Sequence, residues 1–274
     1  RKHTDTNRNH IAPYFDNKRI SKITKADILA WQDGLLTKTY NGRLYSNNML
    51  KDIQSLFHAT LQFGVECELI PTNPFKFKRV IRVEKKEELT VWTPGQFDTF
   101  EANITNPMHL ALFRTLYFGG LRKGELIALD VEDFDGNGVH ISKTYDRYNS
   151  EVTAPKTANS YRYVELDRKT CEAIQNLIGL YPDVPEIKRF PLVGYDHRIS
   201  PTSLERWKNE YWKLTDLPFL TLHGFRHSHA SYLLEKGIRT RDVALRLGNT
   251  EEMVIKRYSH IINKSQSHIT ALFD

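Results

Sequence analysis

The chain has 274 residues, 40% hydrophobic and 26% charged, which is the balance of a globular protein and excludes a disordered or collagen-like one. The formal charge is +6, and residues 1–91 carry all of it: 16 Lys+Arg against 10 Asp+Glu, leaving 23 of each for the rest. That asymmetry favours a polyanion partner for the N-terminal third, because Lys and Arg that meet phosphates release counterions; a solvated basic surface is the competing reading.

Cys67 and Cys171 are the only cysteines, too few for a disulfide framework and in no metal-type spacing; they point to a reducing, cytoplasmic compartment. No apolar run approaches the ~18 residues of a membrane span, and no signal peptide is recognisable. The sequence opens at Arg1-Lys2-His3 in polar, helix-compatible residues, as a fragment with an upstream segment removed would.

The first third reads as helices. Thr24-Lys25-Ala26-Asp27 is a capping signal, followed by Ile28, Trp31 and Leu35 at helical spacing. Ser46-Asn47-Asn48 opens a longer helix whose Ile53, Leu56, Phe57, Thr60, Leu61 and Gly64 recur every three or four residues, with Pro71-Thr72-Asn73-Pro74 expected to stop it. Lys76 to Glu88 is dense in charge and poor in core residues. Residues 1–80 are therefore expected as one helical domain and 81–91 as a linker, with Lys76, Lys78, Arg79 and Arg82 as candidate DNA contacts.

A second domain, 92–274, begins at Thr93-Pro94-Gly95-Gln96, a capping box with proline at the first helical position. A helix through Leu110, Phe113, Leu116 and Tyr117 ends near Gly119-Gly120, and another carries Arg122, Glu125, Leu126 and Leu129. Residues 134–166 switch to short alternating runs (139–141, 152–154, 161–164) separated by Gly136-Asn137-Gly138 and Thr157-Ala158-Asn159-Ser160, which predicts a small antiparallel sheet with a hairpin. Helices resume from Thr170. The fold class is mainly α with a small antiparallel sheet, in two domains.

Four features carry chemistry. Arg122 follows a glycine pair at a turn into a helix, with Glu125 three residues on and able to hold it; alone this is an ordinary surface pair. His223 and Arg226 are three apart on one helical face. His223, His227 and His229 invite a metal reading, but no carboxylate or cysteine supplies the spacing of a zinc site, so packing is the expectation for His227 and His229. Lys156, in Pro155-Lys156-Thr157, lies on the predicted hairpin. Last, Leu247-Gly248-Asn249 ends a helix, Thr250 caps the next, and Tyr258 falls near that helix's middle on the side of Val254 and Ile262.

The order Arg, Lys, His-x-x-Arg, then Gly-Asn nine residues before Tyr resembles the tyrosine recombinase and integrase family. The resemblance runs from about Asn9 to Ser267. Residues 10–28, with Pro13-Tyr14-Phe15, and 50–74 resemble that family's core-binding domain; the style is that of integrases of temperate phages and conjugative transposons of Gram-positive bacteria, lacking their N-terminal arm-binding domain. The family usually has His or Trp where this chain has Asn249, which donates a hydrogen bond but carries no proton or charge as His does.

The resemblance implies cleavage and rejoining of DNA without metal, nucleotide or other cofactor. Tyr258 would attack the scissile phosphate to give a 3′-phosphotyrosine. Arg122 and Arg226 would bind its non-bridging oxygens, with Asn249 as a further phosphate donor. Lys156 would protonate the leaving 5′-oxygen, and His223 would take or share the tyrosine proton or orient the phosphate. Glu125 and His227 stand behind these, Glu125 fixing Arg122. The implied partner is double-stranded DNA clamped between the two domains, with four protomers on two sites, a Holliday junction between exchanges, and the tail after Tyr258 passed to a neighbouring protomer. Two rivals are a type IB topoisomerase, which uses similar residues, and a DNA-binding homologue that has lost catalysis, which Asn249 alone favours.

Overall fold

A computed structural model describes residues 2–76, 79–83, 89–155 and 157–264. The chain forms two compact units, residues 1–87 and 88–274.

In the first unit, α1 (Lys2–Thr6) passes through a π-helical turn, Asn7–Ile11, into α2 (Ala12–Phe15). Helix α3 (Lys25–Thr37) starts at the capping box read from the sequence: the Thr24 hydroxyl accepts from the Asp27 amide and the Asp27 carboxylate from the Thr24 amide. Strands β1 (Thr39–Tyr40) and β2 (Arg43–Leu44) pair antiparallel around Asn41-Gly42, whose φ values of 50° and 75° suit a tight hairpin turn. Helix α4 (Asn47–Glu66) ends before Pro71 is reached, because Glu68 turns into the left-handed region at φ 60°. Ile11, Phe15, Ile28, Trp31, Leu35, Leu50, Ile53, Phe57, Leu61 and Phe75 form the core, and the Trp31 indole donates to the carbonyl of His10 at 2.8 Å.

Two α4 amides hold the chain as it leaves this unit. The Gln54 side chain accepts from the amide of Val80 and donates to its carbonyl; Asn47 does the same for Arg82. The Arg82 guanidinium donates to the Leu36 carbonyl at the end of α3. Arg82, expected as a DNA contact in a linker, is thus engaged within the unit. Lys76 and Arg79 are exposed, and Lys78 lies outside the described residues.

The second unit contains α5 (Pro94–Glu101), α6 (Pro107–Phe118), α7 (Lys123–Ala128), α8 (Arg168–Ile178), α9 (Pro201–Trp212), α10 (Leu222–Glu235), α11 (Thr240–Leu247) and α12 (Glu251–Lys264). Between α7 and α8, β3 (Gly138–Ile141) pairs antiparallel with β6 (Arg162–Glu165), and β4 (Thr144–Asp146) with β5 (Glu151–Thr153). The strand content is therefore separate two-stranded ladders. Aromatic rings of Trp92, Phe97, Phe100, Phe113, Tyr117 and Phe225 fill the centre and lock α10 against α5 and α6. A second cluster of Ala230, Leu234, Val243, Ala244, Leu247, Val254 and Tyr258 seats α11 and α12 on α10. No helix among the described residues is long and apolar enough to cross a membrane.

Candidate active site

Four pieces of backbone bring the chemistry together: the start of α7, the first turns of α10, the turn between α11 and α12, and the middle of α12. Gly120 sets the first. Its φ is +63°, and a Cβ there would lie 2.7 Å from the His229 ring, so only glycine lets the chain pass over α10 and release Arg122 at the helix N-cap.

Arg122 is gripped on several sides. Nη1 donates to Glu125 at 2.7 Å, and Nη2 to the Gly248 carbonyl at 3.1 Å and to Asn249 Oδ1. Glu125 also accepts from the Arg122 amide at 2.9 Å. Its second guanidinium partner is Arg162 on β6, which donates to both carboxylate oxygens at 3.1 and 2.9 Å. Burial alone would raise the Glu125 pKa; the hydrogen bonds and charges of Arg162 and Arg122 outweigh it and hold the carboxyl below its ordinary value. Arg162 was not among the residues singled out from the sequence. The signal present was alternation, which places residue 162 on the inward face with buried Val164.

Arg226 is 3% exposed and donates to the carbonyls of Gly120 at 2.8 Å and Leu247. Arg122 and Arg226 therefore both rest on carbonyls at the C-terminal end of α11, the negative pole of that helix. That end is a left-handed turn at Gly248 (φ +62°), where a Cβ would lie 2.9 Å from the Arg162 guanidinium, and the Asn249 amide closes it on Ala244 at 2.9 Å. Burial and the neighbouring Arg122 lower the Arg226 pKa to about 9, which leaves a cation at neutral pH.

Tyr258 is 3% exposed, and the helix is broken at it (φ −114°, ψ 21°). The sequence pattern predicted an uninterrupted helix with Tyr258 on the Val254 side; the side is as expected, the kink is not. Its hydroxyl lies 2.7 Å from His227 Nδ1, while Arg257 Nη2 lies 3.1 Å from Nε2 of the same ring. His223 packs edge-on against His227, ring centres 4.5 Å apart, and itself faces solvent. So the imidazole touching the tyrosine here is His227 rather than His223. His229 lies beneath Gly120 and accepts from Arg246, the packing role expected of it.

The site's field is positive. Burial, then His223 and the cations Arg257 and Arg226, hold His227 at about 4, and desolvation with Arg226, Arg257, Arg122 and Lys123 lowers His223. Both rings are neutral at pH 7. Burial pushes Tyr258 up to about 12, against the pull of Arg226 and Arg257. Lys156 lies outside the described residues. Among the described residues no group of three His, Cys, Asp or Glu side chains is arranged to hold a metal ion. One carboxylate amid this set of guanidiniums is the electrostatics of an anion site.

A family model described as "Phage integrase family" matches residues 97–264, and one described as "Phage integrase, N-terminal SAM-like domain" matches residues 1–36. The chain belongs to the phage integrase family. Members of this family are tyrosine recombinases, enzymes that rearrange DNA. Among its relatives is the ICEBs1 integrase of Bacillus subtilis, 27% identical over 282 residues that cover 97% of this chain and 74% of that protein. Solved integrases share the fold at lower identity. The Tn1549 transposon integrase in complex with transposon right end DNA is 17% identical with a TM-score of 0.79, covering all of this chain and 95% of that one. A lambda integrase tetramer bound to a Holliday junction is 15% identical with a TM-score of 0.64, covering 91% and 70%.

Proposed function

We propose that this integrase-family chain cleaves and rejoins DNA at specific sites with Tyr258 as nucleophile, through a 3′-phosphotyrosine. The observation that carries the reading is the meeting of the Tyr258 hydroxyl with His227 in a unit where Arg122 and Arg226 are already fixed by Glu125, Gly120 and the end of α11.

The donor inventory supports it. A guanidinium has five N–H bonds. Arg122 uses three on Glu125, Gly248 and Asn249, which leaves Nε–H and one Nη1–H; Arg226 uses two on Gly120 and Leu247. The remainder serve the non-bridging oxygens of a phosphate, where each lost donor is worth about 3–4 kcal/mol in the transition state. Asn249 Oδ1 is taken by Arg122, so its amide hydrogens are what it offers a phosphate. It thereby acts as a donor without the charge a histidine would bring. His223, neutral and open to solvent, is the group to receive the tyrosine proton. Lys156 protonates the leaving 5′-oxygen. No nucleotide is consumed, because the phosphotyrosine keeps the bond energy for attack by the incoming 5′-hydroxyl. Tyr258 is 3% exposed, so its cover must open before the scissile phosphate reaches the hydroxyl, while the bond to His227 stays in place.

The partner is duplex DNA, with the basic first unit contributing Lys76, Lys78 and Arg79. Two exchanges through a Holliday junction need four protomers on two sites. The exchanged tail falls within 261–274, most of which lies outside the described residues. The named lambda integrase tetramer on a Holliday junction supports this assembly.

The test is a pool of duplexes with randomised arms about a central nick, incubated with the chain in chelator and selected for complexes that survive detergent. The expected result is a covalent adduct that vanishes in Tyr258→Phe. DNA that the chain retains but never links covalently would instead support a binding protein without catalysis.

A further inference from the structure

We infer that Arg257 fixes the tautomer of His227, so that its Nδ1–H donates to the phenolic oxygen of Tyr258 and the Arg257–His227 pair positions and stabilises the nucleophile. The inference rests on the reading of Tyr258 as nucleophile.

The argument is one of hydrogen inventory. Guanidinium nitrogens donate and never accept. Arg257 Nη2 lies 3.1 Å from His227 Nε2, so Nε2 must present its lone pair. A neutral imidazole has one N–H, which is then on Nδ1; a doubly protonated ring would set two donors against each other at Nε2. Nδ1 is 2.7 Å from the Tyr258 hydroxyl, so the oxygen accepts. The depressed pKa of His227 agrees with a neutral ring. The edge-on His223 ring limits its rotation.

Two consequences follow for the chemistry. His227 cannot be the base, because the nitrogen facing the tyrosine already holds a hydrogen and the other is covered by Arg257. The phenol's own proton therefore points away from His227, which leaves it for another acceptor, His223 in the reading above, and leaves an oxygen lone pair for the attack. As that proton leaves, the Nδ1–H bond becomes charge-assisted and strengthens, and the same bond holds the phenolate when it departs on rejoining. Arg257 adjoins Tyr258 in sequence, so any movement at the break in α12 shifts the nucleophile and its tautomer lock together.

The test begins on the protein without DNA. In chain labelled with ¹⁵N-histidine, long-range ¹H–¹⁵N spectra read which nitrogen of each ring is protonated, with His227 assigned by its loss in His227→Gln. The expected spectrum shows His227 protonated at Nδ1, and Arg257→Leu shifts it toward the Nε2–H form. On the nicked duplex selected above, at saturating protein, Arg257→Leu slows covalent attachment about 10- to 100-fold, the range for a lost hydrogen bond to a charged group. Arg257→Lys, which keeps a donor, slows it less. An Nε2–H ring in the unaltered protein, an unchanged spectrum in Arg257→Leu, or an unchanged rate would overturn the inference. A complete lack of adduct from the unaltered chain would sink the recombination reading itself, and the tautomer spectrum, taken without DNA, tells that failure apart.

Discussion

Glu125→Gln is the sharpest test of how the site is built. The carboxylate is 3% exposed and takes four hydrogen bonds: Oε1 from Arg122 Nη1 and Arg162 Nη1, Oε2 from the Arg122 amide and Arg162 Nη2. An amide fills the same volume but places its NH₂ against two donors whichever way it is turned. It also removes the single negative charge between two guanidiniums. Breaking a buried ion pair from one side costs about 3–5 kcal/mol. For a unit of this size each kcal/mol moves the melting point by about 2–4 °C, so a drop of roughly 6–20 °C is expected. Tryptophan fluorescence is the assay, because Trp92, Trp207 and Trp212, three of the chain's four, lie in the second unit. A pH series adds a second check. The folded Glu125 pKa is depressed below its ordinary 4.5, so its contribution is present above that value and lost as pH falls through the folded one. The gap between parent and variant should therefore narrow in acid. A drop under about 2 °C at pH 7 would refute the claim that this charge holds Arg122 in place.

Gly120→Ala forces a side chain into φ +63° and against His229, and a urea titration should show a loss of about 1–3 kcal/mol. Tyr258→Phe should abolish the covalent adduct while changing stability by no more than about 1.5 kcal/mol, the worth of the hydrogen bond to His227. Arg226→Lys keeps the charge but loses the fork between Gly120 and Leu247, and single-turnover cleavage should fall about 10²–10³-fold. His223, His227 and His229 all have lowered pKa values, so between about pH 6.5 and 4 the unfolded chain binds more protons than the folded one. Unfolding free energies from urea titrations should accordingly fall as pH is lowered from 7 to 5, by up to about 1.4 kcal/mol per pH unit for each of the buried His227 and His229, with solvent-exposed His223 adding less.

Much of this was legible because it is local. The Thr24–Asp27 and Thr93–Gln96 boxes, the stop at Gly248 and the Arg122–Glu125 pair each involve residues within four positions, where spacing fixes geometry. The Asn41-Gly42 hairpin was local too, yet its strands are two residues each and carry no periodicity to notice. Strand β4 was missed for a related reason: its Thr144, Tyr145 and Asp146 are all half-buried and show no alternation.

Composition and periodicity in the sequence determined the largely helical fold, and the resemblance carried by the order Arg, Lys, His-x-x-Arg, Tyr supplied the family and the candidates Arg122, His223, Arg226 and Tyr258. Only the tertiary structure decided that Arg162, 37 positions away, is the second cation on Glu125, that Gly248 and Asn249 brace Arg122, and that His227 rather than His223 meets the tyrosine hydroxyl. The physical reason is that a helix or cap is set by neighbours along the chain. The partner of a buried charge or hydroxyl is set by which distant segments the core brings together, and no local pattern encodes that choice.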